Sequence, residues 1–213
     1  MSAFAPAVVA TAGSADPSAP LVVLLHGRGS HEGEIVALAS YLPPDLAYAA
    51  VRAPIAEGGG FAWFANRGIG RPVAASLRST MDWFLGWLGE VAPEGRPVVL
   101  VGFSGGAAFA GGLLLDDPSR FAGAAVLYGT LPFDAGVPVT PGRLDGVPVL
   151  IERGADDTVI PAELYDRTAA YLADESGADL RAVVHPGGHG LTAGAVTDLA
   201  AWIADLPLAV EPA

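Results

Sequence analysis

The stretch PVVLVGFSGGAAFAGGLLL, residues 97–115, decides the fold. Its first five residues form a short apolar run rich in β-branched side chains, as a buried strand does, and its last nine are small and apolar, as in a buried helix. Between them Gly102-Phe103-Ser104-Gly105-Gly106 has the form Gly-x-Ser-x-Gly, the sharp strand-to-helix turn that exposes a serine hydroxyl above a sheet. In a chain with 28 glycines those five letters alone carry little information, and the strand before and helix after give them weight.

The same alternation extends in both directions. Apolar runs recur at 21–25, 122–127, 147–151 and 180–184, each bounded by Gly, Pro or Asp, and stretches of helical spacing lie at 32–41, 73–91, 161–173 and 192–205. This order predicts an α/β fold with a mostly parallel twisted sheet and helices on both faces, as one domain over residues 1–213. Only 53 positions separate Ser104 from Asp157, and a helix, two strands and the Pro- and Gly-rich loop 129–146 must share them, so no cap domain is expected.

Composition narrows the function. The chain carries 23 acidic and 11 basic residues, a net charge of −12, and every basic residue is Arg. Such a surface repels nucleic acid and anionic membranes. No cysteine is present, which excludes disulfides, a thiolate nucleophile and a thiolate metal site together. The first twenty residues are apolar but contain no positive charge, and no apolar run approaches the length of a membrane span. The expectation is a cytoplasmic enzyme with no membrane insertion; whether it forms a homodimer is open.

In parallel sheets the site lies beyond the carboxyl ends of the strands, where the reactive residues of this chain collect. A serine hydroxyl needs a base to remove its proton, and of the four histidines His189 lies in the loop after the last strand, where the chain order Ser, acid, His requires it. His185, at a strand end, is read as a packing or capping residue, His26 as fixing the first loop, and His31 as a solvated residue before a helix. The acid that orients the imidazole belongs on the loop after the penultimate strand, where Asp156 and Asp157 both qualify. Two backbone N–H groups must stabilise an oxyanion, and Gly105 and Arg28 are the candidates, with the Arg28 side chain left free for another role. No metal or organic cofactor is required by this chemistry.

Five motifs in order resemble the phospholipase/carboxylesterase family of α/β-hydrolases, bacterial esterases related to acyl-protein thioesterases and more distantly to dienelactone hydrolases. They are LLHGRGS at 24–30, APIAEGGGFAWF at 53–64, VGFSGG at 101–106, GADDTVIP at 154–161 and GGHGLT at 187–192. The resemblance implies Ser104 as nucleophile, His189 as base, Asp157 rather than Asp156 as acid, and the amides of Arg28 and Gly105 as the oxyanion hole. It also implies that Trp63 and Phe64 lie near the substrate, although both equally read as aromatic core. Gly105 stands where the family usually has Gln, which removes a side chain that braces the oxyanion loop, and Ala65 replaces a frequent acidic residue. The implied activity is hydrolysis of small or medium-chain carboxylic esters; a thioesterase, a lysophospholipase, a dienelactone-hydrolase-like enzyme and a non-catalytic binding protein are the alternatives.

Overall fold

The computed structural model describes residues 4–208. Nine strands alternate with five helices: β1 (Val9–Gly13), β2 (Leu21–Leu25), α1 (Glu32–Ile35), β3 (Ala47–Val51), β4 (Ile55–Glu57), β5 (Gly60–Ala62), α2 (Ala74–Val91), β6 (Val98–Phe103), α3 (Gly105–Asp116), β7 (Gly123–Leu127), β8 (Pro148–Gly154), α4 (Ala162–Ala170), β9 (Asp179–His185) and α5 (Ala193–Asp205). Seven strands form one sheet in the order β1-β3-β2-β6-β7-β8-β9, with only β1 antiparallel. β4 and β5 make a separate hairpin.

Every residue of β2, β3 and β7 is buried, which explains why the central runs are apolar at every position rather than at alternate ones. One face of the sheet packs against α2, α3 and α4, through Leu77, Met81 and Phe84 of α2, Phe109 and Leu113 of α3, and Tyr165 of α4. The other packs against the segment around Leu38 and Leu42 and against Leu199, Trp202 and Ile203 of α5. Helix α3 is buried along its whole length from Gly106 to Leu115, so its sequence carries no polar stripe.

The expected elements are present with shifted boundaries. The helix read over 32–41 is one α-turn followed by a 3₁₀ segment, Val36–Tyr41, that ends on the Leu42 N–H to Ala39 carbonyl bond just before Pro43 and Pro44. Those prolines admit no further α-helix, and the tighter turn closes it off. Likewise α4 stops at Ala170 and passes into a π-turn, Tyr171–Glu175. β1, β3 and the β4–β5 hairpin had no counterpart in the sequence reading. Between β7 and β8 the chain forms turns and bends without a helix, so no cap covers the sheet there. Among the described residues, no helix is long and apolar enough to cross a membrane.

Candidate active site

The strand-to-helix turn after β6 is built by close backbone approach. Ser104 sits at φ 54° and ψ −113°, a left-handed conformation that costs a non-glycine residue roughly 1–3 kcal/mol. Its N–H donates to the Leu127 carbonyl at 2.9 Å, and its own carbonyl accepts from Ala107 at 3.0 Å to start α3. A Cβ on Gly102 would lie 2.2 Å from the Gly106 carbonyl oxygen, and one on Gly106 would lie 2.2 Å from that of Leu25. Both glycines are therefore required by space, and the serine is left at the crest.

Ser104 Oγ lies 2.9 Å from His189 Nε2, and His189 Nδ1 lies 2.8 Å from Asp157 Oδ2. The other Asp157 oxygen accepts from the backbone N–H groups of Val159 and Ile160 at 2.8 and 3.1 Å, which fixes the carboxylate plane. Burial pushes this carboxyl up, but the hydrogen bonds from His189, Ile160 and Val159 outweigh that and hold it below its ordinary range. The anion thus persists as pH falls from neutrality, and is lost only when pH drops through the depressed value. The loops are tied together: Ala155 N–H donates to the His185 carbonyl at 2.7 Å and Asp156 N–H to that of Gly187 at 2.9 Å. Asp156 itself is exposed, and its side chain makes no hydrogen bond among the described residues. The choice between the two aspartates, open in the sequence, falls geometrically on Asp157 as the partner of His189.

The remaining histidines divide. His26 is fully buried; its Nε2 accepts from the Ala53 N–H at 3.0 Å, which anchors the first loop to the segment after β3. His31 caps α1 by accepting from the Gly33 N–H, a more definite role than the solvated one expected. His185 is buried, as a packing residue is, and its Nε2 faces Glu152 and Asp198.

An ideal Cβ on Gly105 would stand 3.3 Å from the Arg28 nitrogen, so the two backbones approach closely next to Ser104. The first N–H groups of a helix have no partner within it, and among the described loop and turn bonds neither Arg28 nor Gly105 donates to a backbone carbonyl. The Arg28 side chain, left for another role by the sequence, ties the loop to Glu57 and Phe64. Its Nε donates to Glu57 Oε1 at 2.6 Å, a second nitrogen donates to Glu57 Oε2, and a third donates to the Phe64 carbonyl at 3.2 Å. With Gly29 N–H to Phe61 carbonyl at 2.9 Å and Phe61 N–H to Ser30 carbonyl at 3.1 Å, the β4–β5 hairpin braces the oxyanion loop. That brace stands opposite the position where Gly105 lacks a side chain, and Glu57 is the participant the sequence did not single out.

The far end of the same loop is held by Glu32, which accepts from Arg52 at 2.7 and 2.5 Å. The Arg52 hydrogen bonds lower the Glu32 carboxyl below the usual carboxylate range. Glu32→Gln is expected to destabilise the fold at pH 7 by about 1–3 kcal/mol, the loss of a charge-assisted pair on a mostly buried carboxylate. Because the folded-state value is depressed, the contribution exists above the unfolded value and fades as pH falls through the folded one. Urea unfolding of both proteins at neutral and strongly acidic pH checks this: the gap must shrink in acid.

Ser104, Gly105 and His189 open onto a cavity of about 330 Å³ walled by Trp63, Ala108, Leu131 and Ile160. Trp63 and Phe64 both line it, and both are also core: Trp63 stacks on Phe109 with ring centroids 4.5 Å apart and donates from Nε1 to the His26 carbonyl at 2.8 Å. Loop 129–146 contributes Thr130, Leu131 and Pro132 to the wall. The rim carries exposed apolar side chains, Ile69 and Val159.

Comparison with known proteins agrees with this architecture. The sequence profile of the phospholipase/carboxylesterase family matches residues 6–206. MhqD of Bacillus subtilis (strain 168), a protein named as a hydrolase, is 29% identical over 177 residues, covering 81% of this chain and 86% of its own. A carboxylesterase from Mesorhizobium loti superposes with a TM-score of 0.78 at 27% identity, covering 87% of this chain and 88% of its own. One from Bacillus cereus shares the fold, with a TM-score of 0.81 at 24% identity and 92% of each chain covered. With its profile matched over nearly the whole length and its sheet, turn and loops arranged as described, the chain belongs to the phospholipase/carboxylesterase family, ester hydrolases of the α/β-hydrolase fold.

Proposed function

We propose that this protein is a serine carboxylesterase acting on neutral esters with short or medium acyl chains. The observation that carries the reading is the hydrogen-bonded line from Ser104 through His189 to Asp157, opening onto a small apolar cavity. In the first half-reaction Ser104 Oγ attacks the ester carbonyl carbon while His189 Nε2 takes its proton, and Asp157 stabilises the imidazolium. The oxyanion accepts from the Arg28 and Gly105 amides. The C–O bond to the alcohol then breaks, His189 returns the proton to the departing oxygen, and an acyl-enzyme remains. Water, deprotonated by His189, attacks that acyl-enzyme; collapse releases the carboxylic acid and restores Ser104. No cofactor enters these steps, and the reading places the enzyme in the cytoplasm.

Each covered methylene contributes about 0.8 kcal/mol, so longer acyl chains gain only while the cavity encloses them. kcat/KM across a series of p-nitrophenyl esters is therefore expected to peak at acyl chains of about two to eight carbons. Neutral esters should outperform acyl-CoA thioesters at low salt, because the net charge of −12 repels phosphates and Arg28 is already paired with Glu57. One observation favours a second reading, a lysophospholipase or thioesterase: Arg67 and Arg71 are exposed on the loop that borders the cavity, and neither forms a side-chain ion pair among the described residues. Preference for a long-chain CoA thioester or a lysophospholipid that weakens with added salt would establish that reading and end the first.

A further inference from the structure

Glu152 is fully buried on β8, yet neither of its carboxylate oxygens has a hydrogen-bond partner among the described residues. His185, at the end of β9, is also buried and its Nε2 is likewise without a partner. The two atoms face one another, Nε2 lying 3.6 Å from Glu152 Oε1, too far for a hydrogen bond. On the other side of His185 Nε2, at 3.7 Å, is Asp198 Oδ2 from α5. Leaving the Glu152 carboxyl and His185 Nε2 dry and unpaired costs several kcal/mol, so something belongs between them and Asp198.

We propose that Glu152, His185 and Asp198 form a binding site for one divalent transition-metal cation of the Zn²⁺ type. The donor atoms lie within 4.8 Å of one another. A four-coordinate Zn²⁺ with bonds of about 2.0–2.2 Å sets its ligand atoms roughly 3.3–3.6 Å apart, close to the 3.6 and 3.7 Å that separate His185 Nε2 from the two carboxylates. One imidazole nitrogen with two carboxylates suits a borderline cation better than Ca²⁺ or Mg²⁺, which take oxygen. The outer shell is in place as well, since the other Asp198 oxygen accepts from Arg181 at 3.0 Å, which aims Oδ2 inward. Asp198 is about one-third exposed, which gives the ion a way in. Bound there, the ion ties β8, β9 and α5 together directly beneath the loops that bear Asp157 and His189. Its role is structural, and the site shares no residue with the ester cavity.

The experiment uses the full chain, treated with chelator and titrated with ZnCl₂ by calorimetry in a buffer containing Mg²⁺, so that the acidic surface does not register. One ion per chain is expected, with Tm rising by about 5–10 °C at a hundredfold excess over Kd. Asp198→Asn, at the solvent side, should weaken Kd at least ~10-fold, whereas Asp205→Asn, exposed on the same helix, should leave it unchanged. Titration with Co²⁺ gives a second readout: its visible absorption should appear in the unaltered protein and vanish in His185→Gln. If His185→Gln fails to fold, the Asp198→Asn titration decides alone. Absence of stoichiometric binding, or a Kd the same in the unaltered protein and Asp198→Asn, would overturn the proposal and leave the cluster to water and a shared proton.

Discussion

Ser104→Ala should lower kcat on p-nitrophenyl acetate by about 10⁶-fold, leaving only what binding and the oxyanion amides supply. Among the described residues the hydroxyl's hydrogen bond is to His189 alone, and the left-handed backbone at this residue is no harder for alanine than for serine. The variant should consequently fold as the unaltered chain does, with an unchanged thermal melt. A fluorophosphonate probe should label the unaltered protein once and the variant not at all. Comparable turnover by the two proteins would remove Ser104 from the mechanism, and labelling that survives the substitution would place the nucleophile elsewhere.

Asp157→Asn should cost roughly 10⁴-fold in kcat, while Asp156→Asn stays within about tenfold. The asparagine can keep its oxygen on the Val159 and Ile160 amides, so the loop survives. Its NH₂ then points at His189 Nδ1, which must become an acceptor, and the ring proton moves to Nε2 facing Ser104. A ring protonated there cannot take the serine proton. Asp156 contributes its backbone N–H to Gly187 and nothing from its side chain, so its amide analogue leaves that contact intact. Steady-state kinetics on one ester with both variants measures the ranking, and the reverse order would transfer the acid role to Asp156.

What could be read from the sequence, and what could not, follows from where the physical information resides. Ser104, the Asp156–Asp157 pair and His189 each lie in a loop just after an apolar run, so three distant loops stood out before any contact was known, and the choice of Asp157 came from the family resemblance. β3 escaped because AYAAV has three alanines in five residues, which dilute the strand preference of Tyr48 and Val51; burial between β1 and β2 makes it a strand. β8 was read as ending at Ile151, since Glu152 and Arg153 look like the start of a loop. The strand runs on to Gly154 and buries Glu152, whose surroundings come from β9 and α5, far along the chain. The pairing of Arg28 with Glu57 escaped for a similar reason: a hairpin of three-residue strands carries too little pattern to announce itself.

The helix-free connection between β7 and β8 gives the scaffold room to diversify. Its first residues, Thr130, Leu131 and Pro132, touch the ester cavity, and its last are fastened: Arg143 donates to the carbonyls of Leu115 and Asp116, and Leu144 N–H donates to that of Ser176. Between these anchors, Asp134 and Gly136 are exposed. Extra residues inserted there would rise over the cavity mouth without loading the strands that hold Ser104 and Asp157, and each doubling of loop length costs only about 0.6 kcal/mol. The cavity mouth can thereby be reshaped by loop length alone, while Ser104, Asp157 and His189 stay where they are.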